Sequence, residues 1–410
     1  MGKRAYLFKL LQDIRASYWF LPSLLVLAGL LLASGMIWVD RNPSVVPYDM
    51  PGGWLDTQAD GARSMLSVIA QSIIGVTGVM FSMTLVAVSF ASGNFGPRLI
   101  GNFMRDRGNQ WSLGILIATF VYALVVLRTV QDDFDGGAVQ FVPHYSLLLA
   151  VALTLLCVFT LIYFVHHVPE TINVSQISAS IGAALERHVR ELIDDQDDKN
   201  RYVTPPDRAP DITLTAGASG YIQTVNFSQL EKLADEHDLR VNLAASIGAF
   251  VTEQTPVFEV WTGTNKNEAD ASDVLECYAI GASRTENQNP TFLAEQLVEM
   301  IARALSPGLN DPYTAKDCLN RLAAALTVAS TYNGGIKDRS LPRITFEALT
   351  FSRLFAASFP LCRQYIKPDA LVLEHALALL NDLAKVVRDE DREVITEEIT
   401  MLKAESEGTQ

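Results

Sequence analysis

Four apolar segments, each long enough to cross a bilayer, dominate the first 168 residues of this 410-residue chain. A transmembrane helix needs about 20 predominantly apolar residues. Trp19 and Trp38 flank the first segment, as expected of tryptophans at the two membrane interfaces. A cleaved signal peptide, for which Ala33-Ser34-Gly35 offers small residues, is less favoured because three more such segments follow. We therefore predict a four-span transmembrane domain over residues 1–169, with spans at about 20–39, 64–90, 113–130 and 145–168.

The second segment carries small and polar residues at steps of three and four, which places them on one face of a helix. We call this face the seam; it consists of Ser64, Ser67, Gln71, Gly75, Gly78, Ser82, Ser89, Ser92 and Gly96. In a bilayer, small residues let helix backbones approach and hydroxyls hydrogen-bond between helices. The seam is therefore predicted to face protein or water. A tight helix-packing face is the favoured interpretation, and the wall of a conduction path is the alternative.

Charged residues are unevenly distributed along the chain. Seven Lys or Arg residues precede the first span or lie in the 93–111 turn, whereas Arg41, Arg63 and Arg128 lie on the other side. Because cytoplasmic loops are enriched in Lys and Arg, we expect both termini to be cytoplasmic. The net charge of −14 combines +1 through residue 168 with −15 after it, where 22 basic and 37 acidic residues follow. An acidic domain repels nucleic acid, so we expect no nucleic-acid partner.

The second part of the chain is predicted to be a soluble α+β domain. Short stretches in which apolar and polar residues alternate predict strands, with one helix between them near Phe227. Later amphipathic stretches predict helices. The expected pieces are a connecting helix and linker at 170–200, a small β-rich cytoplasmic subdomain at 201–285 that includes a strand over 274–280, and a helical cytoplasmic subdomain at 286–410. The predicted fold class is an α-helical integral membrane protein with four transmembrane helices, followed by an α+β cytoplasmic domain with a C-terminal helical bundle.

Several motifs in both parts are specific enough to identify a family. They are Phe90-Ala91-Ser92-Gly93-Asn94-Phe95-Gly96-Pro97-Arg98, Leu113-Gly114-Ile115-Leu116, Thr119-Phe120-Val121-Tyr122, Gly220-Tyr221-Ile222-Gln223, Gly248-Ala249-Phe250-Val251, Arg284-Thr285 and the run from Ala304 to Ala315. Together they resemble the bacterial predicted membrane proteins catalogued as domain of unknown function 2254, over nearly the whole chain. The resemblance implies a bacterial inner-membrane protein and supplies no activity and no functional residues.

One candidate polar site lies in the turn from Ser306 to Ala315. Asp311 is a good N-cap with Pro312 at the first helical position, and this capping interpretation is favoured. The alternative is a pocket for an ion or small polar ligand. Its candidate residues are Arg284, Ser306, Asn310, Asp311 and Thr314.

No pattern in the sequence points to catalysis, a cofactor or a metal. His166, His167 and Glu170 lack the i, i+4 histidine pair of a helical zinc site, so an interfacial anchor is favoured. The nucleophile, Walker and dinucleotide patterns of enzymes are missing from the sequence as well. Cys157, Cys277, Cys318 and Cys362 form no CxxC pair, so we read them as reduced, packed thiols.

Two functions remain open at this point. The first is a homo-oligomeric passive ion or small-solute channel in the inner membrane, with the cytoplasmic domain as gate or sensor. It is passive because residues 64–90 contain no Asp, Glu, Lys or Arg that could relay an ion or a proton. The alternative is a membrane-tethered ligand sensor or scaffold whose spans act only as an anchor. Both predict contact with the lipid bilayer.

Overall fold

A computed structural model describes residues 17–42, 58–95, 106–131, 141–194, 205–263, 273–286, 288–330, 341–347 and 349–404. These residues form two compact units that divide between Asn173 and Val174. We call them the membrane unit and the α/β unit.

The membrane unit consists of four long apolar helices, as predicted. They are α1 (Phe20–Arg41), α2 (Ala59–Phe95), α3 (Arg107–Leu127) and α4 (His144–Ile172). Each contains a stretch long and apolar enough to cross a membrane. Helices α2 and α3 begin several residues earlier than the sequence predicts. Helix α2 starts five residues before Ser64, and α3 starts at Arg107, inside the predicted 93–111 turn, because Asp106 caps it by accepting a hydrogen bond from Asn109 N at 2.8 Å.

Helices α1 and α3 pack against each other through glycines. A β-carbon added to Gly29 would lie 2.8 Å from the backbone oxygen of Ala118, and one added to Gly114 would overlap Leu25. The two helix backbones therefore approach closely at these points, as small residues allow in membranes. At one end of the unit, Asp40 of α1 accepts hydrogen bonds from Tyr145 N at 2.9 Å and from Ser146 N at 3.1 Å, and so caps α4.

The α/β unit contains two small sheets. Their strands are β1 (Ile212–Thr215), β2 (Gly220–Val225), β3 (Leu239–Leu243), β4 (Phe250–Val251), β5 (Pro256–Thr262), β6 (Tyr278–Gly281) and β7 (Ile344–Phe346). The first sheet has the order β1-β5-β3-β7, with β7 parallel to β3 and the other pairs antiparallel. The second is antiparallel, with the order β4-β2-β6. The expected strand at 274–280 is wrong in its first half, where Asp273–Cys277 forms a 3₁₀ helix.

Eight helices complete the described part of the α/β unit. They are α5 (Val174–Asp194), α6 (Phe227–Glu236), α7 (Pro290–Ala304), α8 (Pro312–Ser330), α9 (Phe351–Ala356), α10 (Phe359–Ile366), α11 (Ala370–Val386) and α12 (Asp389–Ala404). Helix α5 packs against both α7 and α8. Buried Leu297, Ile301, Leu319 and Leu322 lie on α7 and α8 and supply apolar surface for this helical core.

Some predicted features fall outside the described residues. The loop between the first two spans lies there over residues 43–57, and so does Gly96 of the seam. The side chain of Ser92 is likewise not described, nor is most of the predicted linker, at residues 195–204.

Candidate functional site

The seam faces away from the other helices that the structure describes in the membrane unit. Its members Ser64, Gln71, Gly75, Gly78, Ser82 and Ser89 are exposed, and Ser67 is half-buried. A β-carbon added to Gly75 or Gly78 would meet no atom within 4 Å. The seam therefore does not pack against the other described helices of the membrane unit.

The opposite face of α2 forms the contact with the rest of the unit. Its buried residues are Ala62, Leu66, Ile69, Ala70, Ile73, Thr77, Met80, Thr84 and Ala87. The hydroxyls of Thr77 and Thr84 donate to the oxygens of Ile73 and Met80 within α2, at 2.7 and 2.9 Å. Sequence reasoning missed this face, although two seven-residue series, 66-73-80-87 and 70-77-84, carry the signal of left-handed helix packing.

Large apolar side chains on α2 lie beside the seam and also point outward. Val68, Val79, Phe81, Met83 and Val86 are all exposed. Ser82 and Met83 are neighbours in sequence, and one residue is a rotation of about 100° around a helix. The outward surface of α2 thus has a small, polar strip beside surface suited to lipid.

The end of the membrane unit opposite Asp40 carries a polar cluster. His167 Nε2 lies 2.9 Å from Asp106 Oδ2, and Tyr163 stacks on the His167 ring with centroids 5.0 Å apart. Asn109 is 1 % exposed, and neither polar atom of its side chain has a partner. His166 lies 3.4 Å from Glu170, and both side chains are exposed. Among the described residues there is no group of three side chains that could hold a metal.

Arg284, one of the predicted polar-site residues, lies at the N-terminal end of α7. It forms an ion pair with Glu295, with Nη2 3.2 Å from Oε1, and its guanidinium lies over the Phe292 ring, 5.0 Å from the centroid. These contacts place a paired, partly buried charge beside the β-rich part of the unit.

The other predicted residues lie at the opposite end of α7, in the turn before α8. Asp311 accepts hydrogen bonds from Thr314 N at 3.1 Å and Thr314 Oγ1 at 2.6 Å, and its own N–H donates to the oxygen of Ala304 at 2.8 Å. Asn310 has a φ of +46°, and the Ser306 hydroxyl donates within α7. Helix capping thus accounts for these contacts, and the structure does not bring Arg284 to the turn.

A cavity of about 300 Å³ lies within the α/β unit. Helix α5, the first turn of α7, the end of β3 and the 341–353 segment surround it. Its apolar walls include Phe227, Leu243, Leu341, Phe346 and Leu349. Sequence reasoning missed the cavity, because its walls come from segments more than a hundred residues apart.

Polar groups with unfilled hydrogen bonds lie in the wall of this cavity. Asn289 is 4 % exposed and caps α7 through Oδ1, which accepts from Phe292 N at 3.3 Å and Thr291 Oγ1 at 2.7 Å. Its Nδ2 is buried without a partner, and so is Nδ1 of His188 from α5. Asn289-Pro290 could have been read as a helix start, but nothing in the sequence marks an unfilled donor.

The four cysteines are buried and unpaired. Burial, together with the negative charges of Glu276 and Asp273, raises the pKa of Cys277 to about 12. Burial also raises the pKa of Cys318 to about 12, with Asp317 adding to the effect. These thiols are therefore protonated and unreactive near neutral pH.

Comparison with known proteins gives a family without an assigned activity. Residues 15–382 match the family described as predicted membrane protein (DUF2254). The uncharacterized proteins Mb1321c of Mycobacterium bovis and Rv1290c of Mycobacterium tuberculosis are each 31 % identical over 408 residues, which covers 94 % of this chain and 75 % of the relative. No solved structure matches the chain.

The family match and the four apolar helices agree. The protein is a multi-pass membrane protein with four candidate spans, and these spans contact the lipid bilayer. The extent of the match shows that the chain belongs to the predicted membrane protein family DUF2254.

Proposed function

We propose that the protein is a homo-oligomeric channel that passes ions or small solutes passively, with the seams of several copies facing each other around a central path. The observation that supports this most is the outward position of the seam, whose exposed members run from Ser64 to Ser89. A polar, glycine-containing strip gains little from lipid, whereas a second helix or water can satisfy its hydroxyls and amide.

The chemistry of the seam favours passive conduction. Residues 64–90 contain no Asp, Glu, Lys or Arg, and Gln71 is the largest polar side chain of the seam. Coupled transporters and proton relays use ionisable groups within the membrane. The hydroxyls, single amide and glycines of the seam can line a water-filled path without ionisable groups.

The location of the α/β unit is part of the proposal. The excess of Lys and Arg on the N-terminal and 93–111 side favours both termini, and with them the α/β unit, on the cytoplasmic side of a bacterial inner membrane. There the α/β unit would act as the gate or sensor of the channel. The proposal assigns no catalysis to the protein.

Flux through proteoliposomes tests this function with a matched pair of variants. Wild-type protein is expected to carry a potassium or solute flux that scales with the amount of protein. Ser82→Trp, on the seam, is expected to change that flux strongly. Met83→Trp, which replaces the neighbouring and 55 % exposed Met83, is expected to leave it near the wild-type value. Silent liposomes with correctly oriented protein, or equal effects of the two variants, would count against a channel.

A ligand sensor anchored by its spans is the second candidate. The cavity beside Asn289 favours it, since a channel wall alone does not require a binding site in the α/β unit. Silent liposomes combined with specific binding in that cavity would select the sensor over the channel.

A further inference from the structure

We propose that the cavity of the α/β unit binds a small, mainly apolar carboxylate whose oxygen accepts a hydrogen bond from Asn289 Nδ2. The inference goes beyond the proposed channel function and does not depend on it, because it rests on residues of the α/β unit alone.

The size and the apolar lining of the cavity suit a small, mainly apolar ligand. Ligand pockets in proteins span roughly 300–1,000 Å³ and are lined mainly by apolar and aromatic side chains. This cavity lies at the lower end of that range, at about 300 Å³. The rings of Phe227 and Phe346 lie 4.9 Å apart in its wall, with Leu243, Leu341 and Leu349 nearby. A molecule with one ring or a short chain suits this space.

The capping geometry makes Asn289 Nδ2 a donor that needs an acceptor. Oδ1 must face the first turn of α7, because it accepts from Phe292 N and Thr291 Oγ1. The amide orientation is thereby fixed, and Nδ2 is left buried without a partner. A buried donor without an acceptor is unfavourable, so a ligand oxygen that reaches it is stabilised.

A second unfilled donor lies close to the first. Arg284 Nε is buried without a partner, and it lies 3.5 Å from the position of a β-carbon built on Gly248. The same β-carbon would overlap Asn289 Nδ2. Gly248 has a φ of +86°, a conformation that favours glycine, and its missing side chain leaves room for both donors.

The groups beside Asn289 favour an anion over a cation at this end of the cavity. Asn289 caps the 15-residue helix α7, and a helix N-terminus carries a partial positive charge. Two carboxylates, Glu191 and Glu347, also line the cavity; Glu347 is paired with Arg353 at 2.9 Å and accepts from Ser246 Oγ at 2.6 Å. An ammonium group could not accept from the two unpartnered donors there, Asn289 Nδ2 and Arg284 Nε.

The donor is held in position before any ligand binds. Gln288, with a φ of +54°, donates from Nε2 to the oxygen of Val225 at 3.1 Å and accepts from Val225 N at 3.0 Å. These bonds fix the residue before Asn289 to strand β2. Such preorganisation lowers the entropic cost of binding.

The test uses the full-length protein in lipid nanodiscs and two fluorinated probes of the same shape, phenylpropionate and phenylpropylamine, observed by fluorine NMR. Phenylpropionate is expected to show saturable line broadening, and the amine is expected to bind at least about tenfold more weakly, since the amine cannot accept from the donors. Asn289→Asp keeps a good N-cap but replaces the donor by a negative oxygen, so phenylpropionate binding is expected to fall at least about tenfold.

A matched control separates this effect from helix capping. Asn226 is the exposed N-cap of α6, where it accepts from Gln229 N at 3.1 Å, and Asn226→Asp is expected to leave binding unchanged. Leu349→Phe, which enlarges a lining residue and leaves the cap residues unchanged, is expected to weaken binding even if Asn289→Asp fails to fold. The inference is overturned if neither probe saturates, if acid and amine bind equally, or if Asn289→Asp acts no more strongly than Asn226→Asp. If wild-type protein carries no flux in liposomes, the proposed channel is refuted, and the outcome of this binding test is unaffected.

Discussion

A series of glycine-to-leucine substitutions separates packing within one copy from contact between copies. Gly78 lies on the seam and Gly35 lies on α1; both are exposed, and a β-carbon on either meets no atom within 4 Å. Gly29 is instead packed against Ala118, whose oxygen would lie 2.8 Å from a β-carbon. The three changes add the same side chain to a helix of the membrane unit and differ in what that side chain meets.

The expected magnitudes follow from these surroundings. Gly78→Leu and Gly35→Leu should each change the stability of a single copy by no more than about 0.5 kcal/mol, the usual range for exposed sites. Gly29→Leu should destabilise it by at least about 3 kcal/mol, because leucine cannot fit against the Ala118 backbone. At a contact between seams, Gly78→Leu should cost about 1–3 kcal/mol through overpacking. That corresponds to roughly a 5- to 150-fold weaker association.

Subunit number measured by single-molecule photobleaching in bilayers, over a range of protein densities, gives the association directly. We expect Gly78→Leu to shift the distribution towards single copies, Gly35→Leu to match wild type, and Gly29→Leu to reduce the yield of folded protein. If Gly78→Leu and Gly35→Leu associate equally well, the seam is not the contact between copies.

Three further expectations concern single side chains. Asp40→Ala removes the cap of α4 and should cost about 1–2 kcal/mol, seen as a lower thermal midpoint; an unchanged midpoint would contradict the capping role. Cys277 and Cys318 should resist Ellman's reagent at pH 8 until the protein unfolds, and rapid labelling of the native protein would show that they are not buried. Since an unfolded thiol has a pKa of about 8.5, their contribution to stability is complete below that pH and is lost as the pH rises towards about 12. Glu398→Gln leaves Arg363 without its ion pair; because Glu398 is buried and Arg363 is partly exposed, urea denaturation should show a loss of about 1–3 kcal/mol, and no loss would mean the pair is dispensable.

The four apolar helices could be predicted because the bilayer imposes a length on every span. The face of α2 that packs inside one copy could not, because apolar residues in a membrane helix face lipid as readily as protein. Val79 is exposed and Ile73 is buried, although both are apolar. The seven-residue spacing of Ile73 and Met80 is compatible with a packed face. The small and polar residues of the seam form a stronger pattern on the same helix, so the spacing alone did not identify the packed face.

The strands of the α/β unit were predictable from alternation, but their partners were not. Val241 pairs with Ile344 in a parallel ladder, and nothing local in either segment records a contact across a hundred residues. The same limit applies to the candidate sites. Asp311 could be predicted as a cap from Pro312 beside it, whereas Glu295 as the partner of Arg284, and the unfilled donor of Asn289, follow only from the fold.

The central claim is that the seams of several copies face a common axis. Electron cryomicroscopy of the full-length protein in lipid nanodiscs tests it most directly, since it gives both the number of copies and the direction in which α2 faces. We expect a ring of copies with Ser67, Gln71 and Ser82 turned towards the symmetry axis. A single copy, or a ring in which these three residues face lipid, would contradict it.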